Sequence, residues 1–205
     1  MKIIFATGNK GKINEINMIL SDLKCEVISM KDAGIDIDIV EDGKTFEDNS
    51  IIKANAVMKA AKDMGMTDVV VLADDSGLEV DYLGKAPGIY SARYLGENTS
   101  YRIKNHHIIN LLDGVEKDKR TARFVCTIAC AMLDGRNFVT RGTIEGYIGY
   151  DEEGENGFGY DPIFRVDEFD CSTASLSPEK KNEISHRGKA LRKMKEILEN
   201  ENIGC

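Results

Sequence analysis

At 205 residues, with 42% hydrophobic and 30% charged side chains, the chain has the length for a single α/β domain spanning 1–205 and no compositional sign of disorder. Its net charge of −8 argues against nucleic acid and anionic membrane as partners, because both are held by a surplus of Lys and Arg. No apolar run approaches the roughly 20 residues of a membrane span, and "KIIFAT" after Met1 is too short and too structured for a secretory h-region, so a cytoplasmic protein is expected.

In chain order, "KIIFAT" (2 to 7) is expected as a buried first strand, followed by a loop and a helix with Ile13, Ile16, Ile19 and Leu20 on one face. Thr45 with Asp48 three residues on forms a capping-box pattern that opens a helix carrying Ile52, Ala56 and Lys59 towards Met64 and stopping at Gly65. Val69 to Ala73 is a second apolar strand, and residues 100 to 112 have a helical pattern. "RTARFVCTIACAML" (120 to 133) is apolar or small on both faces and is expected to be a central strand, with Arg136 to Ile144 its antiparallel partner across "LDGR". "GYDEEGENGFGYDP" (149 to 162) is a Gly-rich acidic loop, and Ala190, Leu191, Met194, Ile197 and Leu198 mark a closing helix. The alternation favours a mixed α/β architecture. Cys25, Cys126, Cys130, Cys171 and Cys205 are odd in number and scattered, so neither a disulfide framework nor a zinc pattern is supported, and Cys126 and Cys130 share a strand face as core residues.

Charge stands in unexpected places at two helix starts. A helix N-terminus carries partial positive charge and favours Asp or Glu, yet "TGNKGK" (7 to 12) puts Lys10 and Lys12 there, and "ISHRGK" (184 to 189) puts His186, Arg187 and Lys189 there. An anion, phosphate above all, at each site would make sense of this, the bland alternative being solvated cations. Gly8 and Gly11 favour the first reading, since glycines let backbone N–H groups approach a ligand, although the Walker A spacing is absent. After Ala73 come the adjacent carboxylates Asp74 and Asp75, then Ser76 and Gly77. "DDSG" suits a turn; beside phosphate cradles it equally suits Mg²⁺, which takes carboxylate and phosphate oxygens. In "GFGYDPIF" (157 to 164), Phe158 and Tyr160 alternate with Gly157 and Gly159, as rings that stack on a base or as core.

Five segments, "FATGNKGKINEI", "VEDGKTFEDNSIIKANA", "ADDSGLEVDYLGKAPGIYSARY", "GFGYDPIF" and "LSPEKKNEISHRGKAL", resemble in order and spacing the inosine/xanthosine triphosphate pyrophosphatases. The resemblance runs from Phe5 to about Leu191. It implies an elongated mixed sheet flanked by helices in two lobes with a central cleft, usually as a homodimer. It also implies Mg²⁺-dependent hydrolysis of ITP, dITP or XTP to the monophosphate and pyrophosphate.

By that resemblance Thr7, Gly8, Asn9, Lys10, Gly11 and Lys12 would bind the triphosphate. Asp75 would be general base and metal ligand, and Ser76 would touch substrate. Phe158, Gly159, Tyr160 and Asp161 would line the base pocket, with Lys181, His186 and Arg187 completing recognition. Glu41 fits the acidic metal position before the glycine, with Asp48 the other candidate and Asp74 a supporting carboxylate of open role. The chain departs from the usual pattern at Val40, at Cys171 to Ser175 and in lacking Pro-Arg before the aromatic loop; neither of the last two departures is expected to touch a residue that does chemistry. A pyrophosphatase for another modified nucleotide and a non-catalytic nucleotide-binding protein are the alternatives.

Overall fold

The computed structural model describes residues 1–7, 10–21 and 23–203, with the side chains of Lys10, Gly11 and Asn14 outside the description. Gly8 and Asn9, expected in the phosphate cradle, likewise lie outside the described residues. Seven strands form one mixed sheet in the order β2-β1-β3-β4-β5-β6-β7. They are β1 (Lys2–Phe5), β2 (Glu26–Ser29), β3 (Val69–Val80), β4 (Thr121–Ala131), β5 (Asn137–Ile148), β6 (Phe164–Val166) and β7 (Cys171–Ser172). The helices are α1 (Lys10–Leu20), α2 (Phe46–Asp63), α3 (Tyr101–Leu111), α4 (Pro178–Ile184) and α5 (His186–Asn200). The mixed α/β architecture expected from the periodicity is present. None of the described helices is long and apolar enough to cross a membrane.

The chain forms two compact units. The first comprises 1–75, 126–142 and 186–205, the second 76–125 and 143–185. In the first, β1 pairs in parallel with both β2 and β3, with Phe5 opposite Ser29 and Leu72, so α1 and α2 are the crossovers that parallel pairing requires. Strand periodicity sends alternate side chains to opposite faces. Ile3, Phe5, Val70, Leu72, Cys126, Ile128 and Cys130 face one way, against Ile16 and Leu20 of α1 and Ala190, Leu191, Met194 and Leu198 of α5. Ile4, Ala6, Val69, Val71, Ala73, Ala129 and Ala131 face the other way, against Ala54, Val57, Met58 and Ala61 of α2. Both faces of β3 are thus covered in this unit, which accounts for its unbroken apolar run. Alanines contribute much of this contact, Ala54 and Ala61 from α2 and Ala129 and Ala131 from β4. Cys126 and Cys130 are core residues, and burial pushes the Cys130 thiol up to about 12.

The helix N-caps follow the sequence. Thr45 accepts from the Asp48 backbone N–H while Asp48 reaches back to the Thr45 N–H, closing the capping box of α2. Ser100 caps α3. β3, by contrast, does not stop at Ala73. It continues through Asp74, Asp75, Ser76 and Gly77 to Val80, so "DDSG" is strand and no turn. The reason is that the apolar pattern resumes at Leu78 and Val80, both buried in the second unit's core, and that the carboxylates find partners within the fold. β5 likewise runs four residues past the expected Ile144, ending at Ile148. The second unit's core gathers Leu78 and Val80 with Ile108, Leu112, Phe124, Ile148, Tyr160 and Phe164. β6 pairs antiparallel with β5 and β7.

Candidate active site

Adjacent positions on a strand point to opposite faces, and this resolves the apparent conflict between Asp74 and Asp75. Asp74 follows Leu72 onto the side covered by α1 and α5. Asp75 follows Ala73 onto the side covered by α2. The two neighbouring charges are therefore neutralised by different elements.

Asp74 is 1% exposed, and a lone carboxylate at that depth would cost several kcal/mol. Lys12 Nζ from the first turn of α1 lies 3.0 Å from its Oδ1 and 2.9 Å from its Oδ2, and Arg187 Nη2 from the first turn of α5 lies 3.2 Å from Oδ2. Burial works to raise the Asp74 pKa, but Lys12, Arg187 and Lys53 outweigh it and hold the carboxyl well below the usual carboxylate range. Arg187 is itself buried and donates through Nη1 to Glu15 Oε2 at 2.6 Å. The cations that stood out at two helix starts thus share an anion belonging to the chain, and Asp74 has a role as the buried counter-ion that orders Lys12 and Arg187.

On the other side, Asp75 Oδ2 accepts from Asn49 Nδ2 at 3.1 Å. Burial raises the Asp75 carboxyl; Lys53 and the Asn49 hydrogen bond oppose this, Glu41 and Asp74 add to it, and the result is a group pushed up to about 6. Lys53, one turn along α2 from Asn49, donates from Nζ to the Asp74 carbonyl at 3.0 Å and to Glu41 Oε1 at 2.9 Å. Burial works to lower the Lys53 pKa, but Asp74 and Glu41 outweigh it and keep the ammonium charged. Thr127 of β4 donates to the Phe46 carbonyl at 2.8 Å and so fixes the start of α2 against the sheet.

Glu41 and Asp48 are separated by their partners. Glu41 belongs to the group around Asp75, whereas both backbone N–H groups of Lys44 and Thr45 donate to Asp48 Oδ2 in the helix cap. Among the described residues no cluster of three or more His, Cys, Asp or Glu side chains is placed to hold a metal. A pair of carboxylates, Glu41 and Asp75, nonetheless fits Mg²⁺, a hard ion commonly held by one or two carboxylates with its other positions left to water and substrate phosphate. The position lies just past the carboxyl end of β1, where its pairing with β3 stops at Leu72, an end of a parallel strand at which α/β proteins gather ligands. Thr7, just past β1, is buried there, and Ser76, half-buried, follows Asp75 on β3.

The aromatic loop lies in the second unit. Phe158 is 39% exposed, and Lys181 Nζ stands 4.7 Å from its ring centroid. Tyr160 is buried, donates to the Ser91 carbonyl at 2.8 Å and meets Tyr101 edge-on at 5.2 Å, so its ring is core. Asp161, buried, accepts from the Phe158 N–H at 2.7 Å, the Thr173 hydroxyl at 2.9 Å and Lys181 Nζ at 2.7 Å. Gly157 and Gly159 sit at φ +80° and +70°, and a Cβ at Gly157 would lie 2.4 Å from Asp161 Oδ2. Thr173 falls within the 171–175 departure, so that stretch does reach an expected site residue. His186 opens α5 in the first unit and is buried.

Asn49 and Lys53 were not singled out by the sequence pattern. The available signal was their i, i+4 spacing, which sets them on one face of a helix, but α2 carries several other polar residues from which that pair does not stand out.

The sequence profile of the Ham1 family matches residues 3–197. The dITP/XTP pyrophosphatase of Clostridium perfringens is 47% identical over 96% of this chain and 97% of its own length. That of Bacillus subtilis is 44% identical over 96% of each. Among solved structures, the Ham1 protein of Staphylococcus aureus superposes with a TM-score of 0.85 at 43% identity, covering 98% of this chain and all of its own. A HAM1 protein from Coxiella burnetii gives 0.86 at 37% identity, covering 98% of this chain and 99% of its own. With the profile spanning nearly the whole chain and relatives above 40% identity at full length, this protein belongs to the Ham1 family.

Proposed function

We propose that this protein is a nucleoside triphosphate pyrophosphatase that hydrolyses the deaminated purine nucleotides dITP, ITP and XTP to the monophosphate and pyrophosphate. The observation that carries the reading is the division of the adjacent β3 carboxylates, Asp74 binding the cations Lys12 and Arg187 and Asp75 lying beside Glu41 and Lys53 with its proton affinity raised. The names of the similar proteins support the substrate class.

In this reading Asp75 takes the proton of the attacking water. The value of about 6 belongs to the metal-free chain, and a bound Mg²⁺ would lower it, so Asp75 would serve as base because the same ion would acidify the water beside it. Glu41 and Asp75 would hold Mg²⁺, which when bound would acidify the attacking water and offset charge on the phosphates. Lys53 keeps Glu41 and the Asp74 backbone in place, and Lys12, with Thr7 to Gly11, binds the triphosphate in the ground state and transition state alike. Phe158 and Gly159 would line the base pocket, with the buried Tyr160 and Asp161 holding their loop from behind, and Lys181, His186, Arg187 and Ser76 completing recognition. Lys181 is a donor, so it suits a 6-oxo purine and opposes the 6-amino donor of adenine. The chain would work as one catalytic domain, as a homodimer, in the cytoplasm.

Side-by-side kcat/KM values with Mg²⁺ for dITP, ITP, XTP, dATP, dGTP and modified pyrimidine triphosphates test this. Preference for the three deaminated purines is expected; preference for another nucleotide, or binding without turnover, would overturn it. Lys12→Ala should raise KM for dITP by about 10- to 100-fold, the equivalent of one hydrogen bond to a charged group. Unchanged kinetics in a variant that still melts cooperatively would remove Lys12 from the phosphate site.

A further inference from the structure

Asn49 is 1% exposed and forms two hydrogen bonds of opposite sense. Its Oδ1 accepts from the Gly43 backbone N–H at 2.9 Å, and its Nδ2 donates to Asp75 Oδ2 at 3.1 Å. The amide orientation is fixed by chemistry, because the Gly43 N–H can only donate and an ionised carboxylate can only accept. The contact with residue 43 is close. A Cβ there would stand 2.6 Å from Asn49 Oδ1 and 2.6 Å from the Asp48 Cβ. Asn49 sits in the first turn of α2, whose start is pinned to β4 by the Thr127 hydroxyl.

We propose that Asn49 is a positioning residue for the hydrolytic step, its amide fixing the rotation of the Asp75 carboxylate while tying the loop that carries Glu41 to the same helix. The proposal rests on the pyrophosphatase reading above. A carboxylate on a strand can turn about its Cβ–Cγ bond, and each orientation aims its lone pairs differently. The hydrogen bond from a side chain set in a pinned helix favours one rotation, which helps to set the direction from which the water's proton is taken before substrate arrives. Misplacement of a catalytic group by about 1 Å is enough to cost on the order of 100-fold in rate. Because Asn49 holds the base, its loss should fall on kcat, leaving KM to Lys12 and the base-binding residues.

Two variants separate this from a loop-anchoring role alone. Asn49→Asp keeps an oxygen to accept from Gly43 but turns an acceptor towards Asp75, and Asn49→Ala removes both bonds. Positioning predicts that Asn49→Asp loses about 10- to 100-fold in kcat on dITP, more than Asn49→Ala loses, with KM within about twofold in both. Loop anchoring predicts the reverse order, Asn49→Asp near wild type and Asn49→Ala impaired. The proposal is overturned if that reverse order is found, or if KM rises in step with any fall in kcat. Should Asn49→Asp not fold, Asn49→Ala decides: a kcat loss at constant KM supports the proposal, and unchanged kcat or a KM effect overturns it. An inactive wild type on every nucleotide would overturn the pyrophosphatase reading and the proposal with it, whereas an active wild type with Asn49→Asp unimpaired overturns the proposal alone.

Discussion

Asp75→Asn should lower kcat for pyrophosphate release from dITP by about 10²- to 10⁴-fold, the range that a positioned general base contributes, and should make the metal-free protein more stable at neutral pH. The two effects have one cause. Burial, with Glu41 and Asp74 adding to it, pushes the Asp75 carboxyl up to about 6 in the folded chain, against about 3.9 when unfolded. The sign follows from linkage: a carboxyl whose folded value lies above its unfolded value favours folding when protonated and disfavours it when ionised. Stability is therefore lost as pH rises from about 4 to 6, and at pH 7 the wild type carries the full cost. The amide has no charge to bury and fills nearly the same volume. A gain of roughly 1–3 kcal/mol at pH 7, vanishing below about pH 4, is expected from thermal melts without divalent ion. Loss of activity together with loss of stability would instead mean that Asp75 holds the fold together.

Arg187→Met should do the opposite to stability. Arg187 and Asp74 are 2% and 1% exposed, and removing the guanidinium leaves Lys12 to neutralise Asp74 and Glu15 without its Arg187 partner. Breaking a buried pair in this way costs about 3–5 kcal/mol, which for a chain of this size lowers Tm by on the order of 10 °C. The folded Asp74 carboxyl lies below its unfolded value because Lys12, Arg187 and Lys53 outweigh burial. Its contribution is thus present above about pH 4 and is lost as pH falls towards the folded value, so Arg187→Met should lose less at pH 3 than at pH 7. A double-mutant cycle with Asp74→Asn should show coupling, the pair of changes costing less than the sum of each. Additive costs would mean that Arg187 stabilises α5 through its other contacts.

Much of this was legible in the sequence because local rules and tertiary packing agree. The Thr45–Asp48 capping box, the α1 and α5 faces and the central β4 strand all follow from patterns that burial then satisfied. The motif spacing of the five quoted segments identified the family, and the Ham1 profile and full-length relatives bear that out. What was not legible was how partners are shared. Glycine and two aspartates after an apolar run suit a turn, whereas β3 continues through Asp74 and Asp75 with partners brought from α1, α2 and α5 and with Leu78 and Val80 buried beyond them. The same long-range exchange hid Asn49 and Lys53, which lie 26 and 21 residues from the β3 groups that they hold. Tyr160 was visible as a ring but its hydrogen bond to Ser91, 69 residues away, could not be read from "GFGYDP".

The most direct test of the hydrolytic reading is product analysis with dITP and Mg²⁺, resolving dIMP, dIDP, pyrophosphate and orthophosphate over a time course of the wild type. Equimolar dIMP and pyrophosphate, with neither dIDP nor orthophosphate formed, is the predicted result; release of orthophosphate with dIDP, or no turnover of dITP under conditions where dATP is consumed, would contradict it.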